Sequence, residues 1–117
     1  MKYAQFGVIL FVEDYDACVA FYRDRLSLSV VGVQDGLTRF AFGAAYLMLE
    51  KGGVSSPHQK ARAQNPAVLR FDVADVRAAA AELGEKGVAV ELREFSWGTI
   101  GVFAAPDGNR CELKNAA

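Results

Sequence analysis

Two glutamates near the ends of apolar strands, Glu50 in Leu49-Glu50 and Glu112 in Cys111-Glu112, are the side chains best placed to do acid–base chemistry. If two such carboxylates meet within a few ångström and no metal lies between them, like-charge repulsion and burial raise one pKa. A protonated–ionised pair of this kind can transfer protons. Each glutamate also has two plainer readings: an ion pair with Arg70 or Arg110, or an acceptor for hydrogen bonds from a bound ligand. His58, the single histidine, lies in a polar stretch beside Pro57. It reads as an exposed loop residue, or as an acid or base if that stretch folds over a site. Cys18 and Cys111 have no metal-type spacing and read as two buried thiols.

These residues hang on a pattern written twice. A strand is expected over Gln5–Val12, with Phe6, Val8, Leu10 and Val12 on one apolar face packed against helices. Asp14 then caps a helix to about Leu26 with the stripe Tyr15, Val19, Tyr22 and Leu26. Strands follow over Ser29–Val33, Leu37–Phe42 and Ala45–Glu50. The second copy runs from a strand over Ala67–Val73 into a helix capped by Asp75, with Val76, Ala80 and Leu83 inward and Gly87 as its stop. Its strands are expected over Val88–Arg93, Thr99–Ala104 and Arg110–Lys114. At an offset of 61 residues, Val12, Asp14, Ala17 and Ala20 meet Val73, Asp75, Ala78 and Ala81. The matched order of elements makes this a duplication. One half has too little sheet to close a core, so two halves are needed. Neither copy has a histidine on its opening strand.

Composition limits the partners. With 117 residues, 52% of them hydrophobic, the chain is a single domain's worth and can bury a sound core. A net charge of −1 gives no electrostatic case for nucleic acid or an anionic membrane. No apolar run approaches the roughly 20 residues that span a bilayer, and no signal peptide is evident. A cytoplasmic protein is expected.

Val12-Glu13-Asp14 with Ala20-Phe21-Tyr22-Arg23-Asp24, and Trp97-Gly98 with Pro106-Asp107-Gly108-Asn109 and Glu112-Leu113, resemble the opening and closing signatures of the glyoxalase/bleomycin-resistance/dioxygenase proteins, the vicinal oxygen chelate superfamily. The resemblance covers about Gln5 to Asn115. It implies an α+β fold of two tandem βαβββ modules, about 4–50 and 66–115 with a linker over 51–65, whose mixed sheet curls around a central cleft, in a homodimer. In the family's metal enzymes the first-strand ligand is a histidine seven residues before the capping aspartate. Here those positions are Gly7 and Val68. The last-strand carboxylate positions fall on Glu50 and Glu112. Glycine and valine offer no donor atom, so no metal and no other cofactor are expected.

If the ligand positions face the cleft, alternation turns Gln5, Gly7, Ile9 and Phe11, Tyr46, Met48 and Glu50, Val68, Arg70 and Asp72, and Arg110, Glu112 and Lys114 inward as well. The small side chains at Gly7 and Val68 would leave its centre open. Trp97, before the seventh strand, reads as a plug at the sheet edge or, by the resemblance, as a platform for a planar ligand. The expected function is a metal-free binding protein for a planar or aromatic small molecule. It would sequester a toxic metabolite or antibiotic through Phe11, Tyr46, Met48, Arg70, Trp97 and Arg110. The alternative is a lyase-, isomerase- or dioxygenase-like enzyme using Glu50 or Glu112 as base or metal ligand.

Overall fold

The computed structural model describes residues 1–116 and divides into two compact units, the second beginning at Ser56. Each is a βαβββ unit, so the chain is α+β as the duplication requires. In the first unit β1 (Gly7–Val12) is followed by α1 (Tyr15–Ala20), then by β2 (Val30–Gln34), β3 (Leu37–Phe42) and β4 (Ala45–Lys51). In the second unit β5 (Leu69–Val73) is followed by α2 (Val76–Glu85), then by β6 (Glu91–Phe95), β7 (Gly98–Ala104) and β8 (Arg110–Asn115). Each sheet places its last strand beside its first, in the orders β1-β4-β3-β2 and β5-β8-β7-β6. The first–last pairs are parallel and the others antiparallel.

Both helices start where a carboxylate can accept from free backbone N–H groups. Asp14 accepts from the Ala17 amide, and Asp75 accepts from the Arg77 and Ala78 amides at 3.0 and 3.2 Å. The Val76 amide donates to Asn115 Oδ1 at 2.8 Å, which ties the start of α2 to the end of β8. Removing one of these caps by Asp75→Ala is expected to cost about 1 kcal/mol, measured as a shift in the urea midpoint at unchanged slope.

The first helix departs from expectation. It does not run regularly to Leu26 but passes at Phe21 into a π-helical turn, Phe21–Arg25, and Ser27 then takes a left-handed conformation at φ 59°. The wider turn brings Phe21 and Tyr22 inward together, ring to ring at 5.3 Å, with Tyr22 also 6.2 Å from Phe40. Burial of two adjacent aromatic side chains outweighs the regular 3.6-residue spacing.

Each core lies between a helix and one face of its sheet. Val12, Cys18, Tyr22, Phe40, Leu47 and Leu49 are buried in the first unit, and Leu69, Val76, Leu83, Phe103, Cys111 and Leu113 in the second. Both cysteines are buried free thiols. The first strand begins at Gly7 rather than Gln5, which leaves Phe6 outside it and 72% exposed, so Phe6 does not join the helix-facing stripe. Strands β5 and β6 likewise begin two or three residues later than expected, at Leu69 and Glu91. No helix among the described residues is long and apolar enough to cross a membrane.

The stretch between the modules is not slack throughout. Residues 56–65 belong to the second unit and are strapped onto the turn before β8. The Ser56 and Lys60 amides donate to the Asp107 and Gly108 carbonyls at 3.0 and 2.8 Å. Lys60 Nζ and Asn65 Nδ2 both donate to Asn109 Oδ1 at 3.0 Å. Gly108, at φ 88°, is required there: a Cβ would press on the His58 carbonyl oxygen.

Candidate ligand-binding site

Strand register shows how far the duplication holds. Val12 and Val73 close their opening strands two residues before the capping aspartates, and they pair with Lys51 and Asn115. Counting back, buried Leu47 and Leu49 correspond to buried Cys111 and Leu113. Tyr46 then corresponds to Arg110, Met48 to Glu112, and Glu50 to Lys114. Glu50 is therefore not the twin of Glu112: it stands one pleat further along its strand, opposite Phe11 and Leu37. The similar endings Leu49-Glu50 and Cys111-Glu112 are out of register by two residues. Because the shift is even, both glutamates still lie on the face away from the helix.

On that face of the first unit, Gly7, Ile9 and Phe11 from β1 lie beside Tyr46, Met48 and Glu50 from β4 and Leu37 and Arg39 from β3. Phe11 is 55% exposed, while Tyr46, Met48 and Glu50 are half-buried. Glu50 has no ion pair among the described residues. The space over Gly7 is not open. The Tyr46 ring lies across it so closely that a Cβ on Gly7 would clash with its Cζ and Cε carbons. Arg39 covers the ring, its Cζ 3.8 Å from the ring centroid, and its Nη2 donates to Gln5 Oε1 at 3.1 Å. Beside this stack is a recess of about 260 Å³ that includes Val33, Leu37, Arg39 and Met48.

In the second unit the same face carries a charge cluster. Arg70 donates from Nε and Nη2 to Glu112 Oε1 at 3.1 and 2.9 Å. Arg110 holds Oε2 with Nε at 2.9 Å and Nη2 at 2.7 Å. The Glu112 side chain is only 9% exposed, against 44% for Arg70 and 21% for Arg110. Burial alone would push its carboxyl up, but the hydrogen bonds and charges of the two guanidiniums outweigh burial and hold it below the usual glutamate range. An acid held this way is a poor base. Beside it a recess of about 270 Å³ is bounded by Arg110 and Glu112 on the sheet, by Val68 just before β5, and by Lys60, Arg62 and Asn65 on the strap.

Trp97 lies elsewhere in this unit. With Ser96 it forms the turn of the β6–β7 hairpin, is 58% exposed, and stacks flat on Phe95 with ring centroids 5.0 Å apart and planes within 3°. Arg110 pairs with Ala104, at the opposite end of β7 from Gly98, so the tip is roughly 20 Å along the sheet from the recess at ~3.3 Å per residue. Arg70, Arg110 and Glu112 are thus brought together, and Trp97 is not brought to them. His58 is exposed on the strap and does not border the recess. Arg39, Lys60 and Arg62 were missed. Alternation with Phe40 places Arg39 on the open face, whereas nothing in the polar stretch distinguishes Lys60 and Arg62 from solvated charges.

The sequence model of the Glyoxalase/Bleomycin resistance protein/Dioxygenase superfamily matches residues 4–113. The chain belongs to this superfamily. A lactoylglutathione lyase structure from Agrobacterium tumefaciens is similar at 25% identity over 98% of this chain and 95% of that one, with a TM-score of 0.75. An integron cassette protein from the V. cholerae mobile metagenome is also 25% identical, covering 100% and 98%, at 0.70. A glyoxalase/bleomycin resistance protein/dioxygenase from Nocardioides, 14% identical over 97% and 83%, shares the fold at 0.76. Comparison with curated proteins gave no match.

A divalent metal, as in the superfamily's metal enzymes, does not fit the donors present. Gly7 and Val68 supply no donor atom, Met48 stands in register where Glu112 stands in the other unit, and both Glu112 oxygens are engaged by guanidinium groups. Among the described residues no group of three or more His, Cys, Asp or Glu side chains is placed to hold an ion.

Proposed function

We propose that this superfamily member is a metal-free binding protein for a planar or aromatic small molecule, acting as a cytoplasmic homodimer that sequesters a metabolite or antibiotic. The observation that carries the reading is the fixed Arg70–Glu112–Arg110 cluster beside the recess bordered by Val68. It offers preorganised polar groups and a hollow, but neither a free base nor a metal donor set. Met48 and the exposed Phe11 ring on the first unit's open face supply apolar and aromatic surface suited to a planar body, whereas the Tyr46 ring is already covered by Arg39.

Calorimetric titration of metal-analysed protein against a panel of planar metabolites tests this. Saturable one-site binding by protein free of bound metal is expected, weakened at least tenfold by Arg110→Ala. Near-stoichiometric zinc, nickel, manganese or iron in the purified protein, or no binding across a broad panel, would sink the reading.

A second reading, an isomerase- or lyase-type enzyme, draws support from Glu50. This acid is half-buried between Phe11 and Leu37 in register and lacks an ion pair. Turnover that disappears in Glu50→Gln while folding is retained would favour it.

A further inference from the structure

Resting on the ligand-binding reading above, we infer that the recess of the second unit receives an anionic group, a carboxylate or a phosphate, on a small organic ligand. The charge balance around it is unequal. Arg110 and Glu112 border it, the carboxylate being shared with Arg70 outside the lining, and two further cations, Lys60 and Arg62, border the same hollow. Lys60 is bonded to a neutral acceptor, the Asn109 amide oxygen. Arg62 sits exposed in the turn closed by the Gln64 amide on the Ala61 carbonyl, and it has no ion pair among the described residues.

Among the residues bordering the recess, Glu112 is the only acid. Glu91, whose carboxyl is lowered first by a hydrogen bond from Arg93 and only weakly by Arg110, is committed to Arg93 at 3.1 Å. The Asp107 carboxyl is fully buried in the turn beneath the strap and does not border the recess. Several like charges held around one hollow, in a chain whose net charge is −1, repel one another unless an anion joins them.

The cations are also held in place for the purpose. Backbone bonds to Asp107 and Gly108 and the shared Asn109 oxygen fix the strap that carries Lys60 and Arg62, so part of the ordering entropy is already lost before a ligand arrives. Glu112 fixes the guanidinium of Arg110 in turn. At about 270 Å³ the hollow suits one small anionic group and the first atoms attached to it. Lys60 gives a point charge and the arginines give planar donor pairs, a combination that serves carboxylate and phosphate alike.

Isothermal titration of the full chain at low salt, with benzoate, phenyl phosphate and inorganic phosphate as probes and benzyl alcohol as the uncharged counterpart, tests the inference. At least one aryl anion should bind tenfold or more tighter than the alcohol, with affinity falling as salt is added. The tighter of the two anions identifies the headgroup. Lys60→Ala and Arg62→Ala, both solvent-side positions whose folding is verified by melting, should each weaken anion binding about five- to tenfold. Equal affinity for anion and alcohol would overturn the inference while leaving the ligand-binding reading intact. Anion binding untouched by both substitutions would place the anion elsewhere and overturn it as well. A failure of charged and uncharged probes together would remove both.

Discussion

Glutamine in place of Glu112 is expected to lower the unfolding free energy by about 2–3 kcal/mol, a fall on the order of 10 °C in Tm for a chain of this size. An amide oxygen can accept from one guanidinium, but the amide nitrogen then points a donor at the other. Arg70 and Arg110 are left beside each other without the charge that joins them. Breaking a fully buried pair costs about 3–5 kcal/mol. The 44% exposed side chain of Arg70 lets solvent screen part of that loss, hence the smaller figure. The effect should depend on pH. The folded Glu112 carboxyl titrates below its ordinary value of 4.5, so its contribution is complete above that value and is lost as pH falls through the lower, folded one. The gap between melts of the two proteins should therefore narrow as pH falls from 7 into the acid range below 4.5. A gap that stays constant across the range would show that packing, not charge, sets the cost.

Gly7→His is expected to destabilise the protein by about 3 kcal/mol, whereas Val68→His should change stability by less than about 0.5 kcal/mol. The two positions correspond in sequence, both seven residues before a capping aspartate. At Gly7 propensity even predicts a gain, since glycine is a weak strand residue. Packing decides otherwise. The Tyr46 ring fills the space over Gly7, and any side chain there must drive it off and break its contact with the Arg39 guanidinium. Val68 is 40% exposed at the edge of a recess and can be replaced outward. Urea denaturation of the two variants provides the comparison, and equal stability of both would refute the account of the Tyr46 stack. Histidine at 68 should also leave zinc affinity negligible, because Glu112, the carboxylate bordering the same recess, is engaged on both oxygens.

The fold could be read from the sequence because its signals are periodic and repeated. Asp14 and Asp75 cap as expected, and Leu47, Leu49, Cys111 and Leu113 alternate inward. Strand alternation also placed Arg70, Arg110 and Glu112 on one face, because period two survives small errors at strand ends. What could not be read was anything set by a particular side-chain conformation. Gly7 reads in sequence as empty space, and only the Tyr46 rotamer shows that it is filled. The register slip between Glu50 and Glu112 escaped for a different reason. A hydrophobic residue followed by glutamate looks alike at both strand ends, and only the pairing of Val12 with Lys51 and Val73 with Asn115 separates them. The strap escaped because its anchors are mainly backbone groups, which composition does not reveal.

Those same anchors bear on how such a protein can diversify. The strap is held through the Ser56 and Lys60 amides and the Asn109 side chain, and its backbone bonds form whatever side chain follows each Cα. Positions such as Arg62, whose side chain makes none of these anchoring bonds, therefore have wide mutational latitude. A lineage can change such strap positions and alter what the hollow admits while the duplicated scaffold beneath stays unaltered.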